Sequence, residues 1–352
     1  MTDHQTPAPS RMLFDRDADI QLQMTTLEGW RDFVADAPAP PHRLTSAQLK
    51  RLTEPERKED QAVRLDYHAR THVVDTPTIR NAVLQGRLQI LMNRHEHGAR
   101  HGLLVSGPAG TGKSIAIAQL GKSHELDDQV QHPGVTDRIP ALYVTVPPAA
   151  TARMIASEFA RFLGLPVRTR LNMTDIIESV VGVLIDARCT LVLVDEVHNI
   201  SLATRTGAEV SDTLKYFAER IPATFVYAGI NLEHGGLLEG TRGTQIAGRF
   251  TPIRTTAFPR GPVWKGLVKT FEDNLWLHRL KPGSLLNLSD WLHAHTGGMI
   301  GVLSHVIRGA ALAAILSNTE TITRAGIEAI PLPVAAEADR HLRMSQAKVQ
   351  QP

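Results

Sequence analysis

The sequence predicts an α/β fold in which a parallel five-stranded sheet is covered by helices on both faces and followed by a small helical domain. Three observations carry this. Five short apolar runs read as buried strands: His101–Gly107, Ala141–Val146, Thr190–Glu196, Ala223–Ile230 and Phe250–Phe258. Stretches with helical spacing separate most of them, at 151–163, 174–188 and 209–220, and strands alternating with helices argue a parallel sheet buried on both sides. Past Pro262 the strand signals stop and only helical spacing remains.

Residues 1–41, broken by prolines and closing with "DAPAPPH", read as a flexible tail. Residues 42–75 form a charged helical extension in which Thr53 and Glu56 mark a capped start; it is either a solvated helix or an arm that docks a partner. Residues 76–261 are the α/β core. Pro77 opens its first helix, whose apolar positions are Ile79, Val83, Leu84, Leu88 and Leu91. Residues 262–332 are the helical domain, with helices expected over 263–279, 284–295, 299–316 and 323–330. Residues 333–352 lack a long apolar face and read as a loosely held tail.

A chain of 352 residues with 42% hydrophobic and 21% charged residues is long enough for two domains. Its formal charge of +2 is too small to mark a nucleic-acid binder by itself. The single cysteine, Cys189, precedes an apolar run and reads as a buried, reduced thiol. With no apolar core near the first residues and no run long enough to span a bilayer, the expected location is the cytoplasm.

Between the first strand and the helix "KSIAIAQLGK", Gly107-Pro108-Ala109-Gly110-Thr111-Gly112-Lys113-Ser114 satisfies the phosphate-loop pattern G-x-x-x-x-G-K-[ST] in the context that pattern requires, and Ile115 directly after it is a further candidate nucleotide contact. Glycines there let backbone N–H groups turn toward phosphates, Lys113 reaches the outer phosphates of ATP and Ser114 holds Mg²⁺. "LVLVDE" supplies two acids at a strand end: Asp195 for the Mg²⁺ shell and Glu196 to orient or deprotonate water. Two consecutive acids favour an ATPase over a nucleotide sensor. Asn231, at the end of the next strand, is placed to position that water.

"DEVH" also invites a helicase reading, which fails on spacing. The roughly fifty residues between it and "QIAGR" hold one strand and one helix, too few for a second nucleotide-binding domain.

In order along residues 76–313, "GPAGTGKS", "LVLVDEVHN", "FVYAGIN", "QIAGRF" and "HTGGMIGVLSHVIRGAA" resemble the AAA+ ATPases, and within them the TniB/TnsC group of transposition regulators, with MuB and IstB as looser relatives. The resemblance implies a P-loop core with a C-terminal helical lid, and catalytic roles for Lys113, Glu196, Asn231 and Arg249. In it Arg249 of "QIAGRF" matches an arginine finger that enters a neighbouring subunit's site, with Arg242 as the substitute. A planar guanidinium supplied in trans would make hydrolysis depend on assembly. The chain departs from many AAA+ lids at Gly301, where a second sensing arginine is usual, which implies weak lid coupling and slow hydrolysis. His198 reads as a structural hydrogen-bonding partner of nearby loops.

The same resemblance implies assembly with ATP, as a homo-oligomeric ring or filament, on double-stranded DNA, followed by recruitment of a DDE-type transposase. From the residues, support is a basic excess over 241–282, where eight Lys and Arg face two acids. The resemblance also implies that the loops after the second strand and after the acids, here Pro147–Arg153 and Ser201–Arg205, face DNA, which makes Arg153 and Arg205 candidate phosphate contacts; the alternative is a charged helix edge. The rival reading is a nucleotide-switched scaffold or signalling adaptor that binds proteins and no DNA.

Overall fold

The computed structural model describes residues 22–168, 172–200, 204–233, 243–244 and 247–349. In chain order the elements are α1 (Leu27–Ala35), α2 (Ser46–Arg51), α3 (Glu54–Ala69), α4 (Pro77–Asn93), β1 (Gly102–Gly107), α5 (Lys113–Gln131), β2 (Ala141–Thr145), α6 (Ala152–Phe162), α7 (Met173–Asp186), β3 (Leu191–Asp195), α8 (Arg205–Arg220), β4 (Thr224–Ile230), β5 (Phe250–Arg254), α9 (Pro262–Asp273), α10 (Ser289–Thr296), α11 (Ile300–Leu316), α12 (Arg324–Glu328) and α13 (Val334–Val349).

The five strands form one parallel sheet in the order β2-β3-β4-β1-β5. Strands β1 and β3 are buried at every residue, and β2 and β4 at all but their last, as the continuous apolar runs require when helices cover both faces. Strand β5 is more exposed and carries Pro252, which lacks an N–H and is tolerated because β5 pairs on one side with β1. It ends at Arg254, short of the expected Phe258: Thr255 still donates to the Ser106 carbonyl beside the glycine loop, and the chain then leaves the sheet so that Phe258 donates to the Gly298 carbonyl of the helical domain.

Two separate apolar clusters organise the molecule. The larger surrounds the sheet; Phe159 of α6 and Phe217 of α8 stack in it at 4.3 Å. The smaller lies within the C-terminal helices around Trp264, Leu292, Leu303, Val306 and Ile307. Burial of a side chain of this size stabilises by about 1.5–3 kcal/mol. Cys189 is fully buried in the larger cluster, and burial pushes its thiol up to about 12, so it stays protonated.

Three expectations about the chain's periphery are corrected. The proposed flexible tail contains α1, capped by the Thr26 side chain, and Trp30 of that helix is fully buried. Trp30 lies against Gly121, where a Cβ would stand 2.6 Å from its ring, and stacks on Tyr143. Residues 1–21 lie outside the described residues. A nine-residue helix with one large anchor leaves little periodic signal beside a proline-rich stretch, which is why the sequence hid it.

The charged helix α3 is docked rather than solvated, packing along α11 with a face of paired charges. Arg64 is 4% exposed and donates to both Glu320 oxygens, at 2.8 and 3.0 Å, and to Asp60 at 2.9 Å. His68 is buried beside it, where burial, His72, Arg64 and Arg308 together hold its imidazole at about 4. The C-terminal segment is helical in α13, which packs on α10 with Arg340 reaching His295 at 3.2 Å.

Candidate nucleotide site

Strand β1 delivers the glycine loop at the C-terminal edge of the sheet, where β3 and β4 also end. Gly107 passes so near Thr255 that a Cβ would stand 2.1 Å from its carbonyl oxygen. Gly112 has φ +88°, a left-handed backbone that suits glycine, and sits at the N-cap of α5, so the first N–H groups of that helix face the loop. Thr111 fastens the turn: its hydroxyl donates to the Pro108 carbonyl at 2.8 Å and lies 2.7 Å from the Thr255 hydroxyl. Pro108, Ala109 and Gly110 form its exposed rim, Ser114 is half-buried, and Ile115 is exposed beyond it.

Lys113 is 7% exposed and folds back over the loop, its ammonium donating to the Pro108 carbonyl at 2.7 Å. Burial pulls its pKa below the ordinary lysine value while Asp195 and Glu196 act in the opposite direction. A desolvated ammonium held by the Pro108 carbonyl, with two acids near it, suits an anion with a bound cation. The donor set therefore fits the phosphates of ATP with Mg²⁺: Lys113 and loop N–H groups for the anion, Ser114 and Asp195 for the hard cation.

Asp195 is 3% exposed at the end of β3, and both its oxygens are engaged. Oδ2 accepts from the Tyr143 hydroxyl at 2.7 Å and Oδ1 from the Glu196 N–H at 2.8 Å. Tyr143 was missed by sequence reasoning. The available signal was strand register: Thr145 pairs with Asp195, so Tyr143 is the diagonal neighbour on one face of the sheet. Burial and the Asp195 charge raise the Tyr143 pKa, keeping its proton available to donate.

Glu196 turns sharply, with φ +57°, and its carboxylate lies 3.3 Å from Nε2 of His198. Asn231 follows β4 with φ +44°. Its N–H donates to the Gly107 carbonyl at 3.3 Å, and the next N–H, of Leu232, donates to the Ser106 hydroxyl at 2.9 Å. Lys113, Ser114, Asp195, Glu196 and Asn231 therefore lie at one edge of the sheet, held by β1, β3 and β4.

Arg249 is not brought to that edge. It precedes Phe250, which pairs with Gly102 at the opposite end of β1, and its carbonyl accepts from the Gly102 N–H at 2.9 Å. Five strand residues from Gly102 to Gly107 amount to about 16 Å. Arg249 instead lines a cleft with Leu214, Phe225, Tyr227 and Phe250. Arg242, Gln245 and Ile246 lie outside the described residues.

The helical domain meets the loop through backbone. Gly301 donates its N–H to the Gly110 carbonyl at 3.0 Å, and a Cβ at 301 would lie 3.1 Å from that oxygen. The absence of a side chain at 301 is what permits the approach. Of the candidate DNA contacts, Arg153 donates to the Arg168 carbonyl at 3.2 Å, and Arg205 pairs with Glu209 at 2.9 Å while its side chain remains 93% exposed. In the basic stretch, Arg254 pairs with Glu233 and Lys269 with Asp273. Among the described residues no cluster of His, Cys, Asp and Glu could hold a separate metal, and no helix is long and apolar enough to cross a membrane.

A family model described as "Bacterial TniB protein" matches residues 37–260. No curated protein matches the sequence. Among solved structures, the chain is similar to the ORC1 protein of Aeropyrum pernix in complex with DNA, at 17% identity and TM-score 0.57, covering 74% of this chain and 66% of that one. It is similar to the ORC2 protein of Aeropyrum pernix in its ADP form, at 14% identity and TM-score 0.57, covering 75% and 71%. It is also similar to Cdc6p from Pyrobaculum aerophilum, at 16% identity and TM-score 0.51, covering 75% and 70%. The chain thus spans about two thirds of the length of these structures, and the fold it shares with them is that of the AAA+ ATPases: a parallel P-loop sheet with a helical C-terminal region.

Proposed function

Because the chain belongs to the TniB family, we propose that it is an ATP-hydrolysing, DNA-binding regulator of transposition. It assembles on target duplex with ATP, recruits or activates a DDE-type transposase, and hydrolyses ATP to disassemble. The observation that carries this reading is the division of the catalytic groups. Lys113, Asp195 and Glu196 share one edge of the sheet, whereas Arg249 sits at the opposite edge, beyond reach of its own phosphate loop.

Lys113 and the α5 N-terminus hold the phosphate oxygens, and Ser114 and Asp195 hold the cation. Tyr143 and the Glu196 N–H fix the Asp195 carboxylate through both oxygens, so its orientation is set before any ligand arrives. When bound, Mg²⁺ supplies charge neutralisation along the phosphates. Glu196 orients water and takes its proton, with Asn231 as the neighbouring amide. Arg249 serves a neighbouring copy, so turnover rises with assembly. Arg153 and Arg205 contact backbone phosphates without reading sequence.

Duplex binding at low and high salt, with ATP, ADP or no nucleotide, tests this reading. ATP-dependent retention that weakens with salt is expected. Absence of ATP-dependent duplex binding at low salt would instead favour a nucleotide-switched adaptor that binds proteins alone.

A further inference from the structure

We propose that His198 is a positioning residue for Glu196, acting on the hydrolytic step and not on nucleotide binding; this rests on the ATPase reading above. Glu196 has a fixed main chain, since its N–H is held by Asp195. Its side chain is different. At 42% exposure it is half in solvent, and a glutamate so placed samples several rotamers unless something holds it.

His198 is that something. Its Nδ1 accepts a hydrogen bond from the Ile230 N–H at 3.3 Å, and its Nε2 lies 3.3 Å from Oε2 of Glu196. A nitrogen that accepts from an N–H carries no proton, so the proton of the neutral ring is on Nε2, the nitrogen that faces the carboxylate. The main-chain bond thus assigns the tautomer, and the tautomer leaves the ring's N–H on the nitrogen that stands 3.3 Å from the Glu196 carboxylate. A small rotation of the carboxylate turns this approach into a hydrogen bond to Oε2 and leaves Oε1 as the acceptor for water.

The ring is itself held. Val197 beside it is fully buried, and Asn199 donates to the Val146 carbonyl at 2.8 Å, pinning the short turn at Val197–Asn199 that carries the histidine. Gly229 admits the turn: a Cβ there would lie 3.0 Å from the His198 main-chain nitrogen. Ile230, whose N–H the ring accepts, immediately precedes Asn231. The imidazole therefore bridges the water-orienting acid and the strand end that presents the water-positioning amide, and registers one against the other.

The test compares the wild-type chain with His198→Ala, His198→Gln, Glu196→Gln and the Ala/Gln double variant, measuring ATP turnover and binding of a fluorescent ATP analogue with Mg²⁺. His198→Ala is expected to lower kcat by about 10–100-fold, the range seen when an orienting partner is lost. KM and analogue affinity are expected to stay within about twofold. His198→Gln, which keeps a donor of similar reach, regains most of the rate. Adding His198→Ala to Glu196→Gln costs nothing further, because the two act as one unit. Additive losses in the double variant, a Gln variant as slow as Ala, or equal changes in KM would overturn the assignment.

Nitrogen NMR of the His198 ring gives a readout independent of turnover and of any variant's folding. A proton on Nε2 is expected, and one on Nδ1 overturns the proposal. A wild-type chain that binds the analogue without hydrolysing ATP overturns the ATPase reading and this one with it, whereas turnover with additive losses overturns His198 alone.

Discussion

Tyr143 donates its phenolic hydrogen to Asp195 across the β2–β3 pair at 2.7 Å, and on its other side stacks on Trp30 with ring centroids 5.9 Å apart. A residue in the N-terminal segment thus touches the side chain that orients the proposed cation ligand.

Tyr143→Phe keeps the ring and the stack while removing one of the two donors on Asp195. The Mg²⁺ concentration for half-maximal turnover is expected to rise by about tenfold, as when a ligand loses its orienting partner. Binding of ATP in chelator is expected to be unchanged. Isothermal titration with and without Mg²⁺ separates the two, and an equal loss in chelator would place Tyr143 in general packing instead.

Trp30→Ala empties a site that is fully enclosed. Truncation of such a residue costs about 3–5 kcal/mol, readable as a lower urea midpoint with little change in slope. A loss under about 1 kcal/mol would mean that α1 contributes little to the folded core.

His68 makes stability depend on pH. Its folded imidazole is held at about 4 against an ordinary 6.5, so below 6.5 the unfolded chain binds the proton first. The contribution is whole above 6.5 and is lost as pH falls through the window down to about 4. Its full size is roughly 3 kcal/mol by the one-unit conversion. Urea denaturation at pH 7, 5.5 and 4.5 should show that decline, and His68→Gln should lessen it, leaving the share of His72, His124 and His295, which burial also lowers.

Glu196→Gln is expected to bind ATP with near-native affinity while slowing turnover by about 100-fold or more, the scale of a lost general base. Arg249→Ala should bind ATP normally yet lose the rise of specific activity with protein concentration. Mixing the two variants is the discriminating experiment. Recovered turnover in the mixture means that one copy's Arg249 completes another copy's site, and no recovery argues against action in trans.

Much of this was legible in the sequence because it is written in local pattern. The phosphate loop carries glycines at fixed spacing between a strand and a helix, and the two acids leave an apolar run, so both could be placed without coordinates. Strands β1 to β4 were legible for the same reason: parallel strands buried on both sides read as unbroken apolar runs. What the sequence hid depends on partners distant along the chain. Thr255 supports the loop from 144 residues beyond Thr111. Arg64 and His68 looked like solvated charge because Glu320 and Trp276, which satisfy them, lie more than two hundred residues on. Tyr143 looked like one more strand aromatic until register set it diagonal to Asp195.

The contact between Gly301 and Gly110 joins two main chains, through an N–H and a carbonyl that every substitution except proline leaves in place. Truncating the side chains around it would not reveal it, and neither would any survey that looks for coupling in side-chain chemistry; alanine at 301 itself would press a Cβ to 3.1 Å from the Gly110 oxygen. Bulk added at 301 would have to wedge the helical domain away from the loop. The fastening between them can thus be loosened by steric means, while no side chain can be deleted to release it.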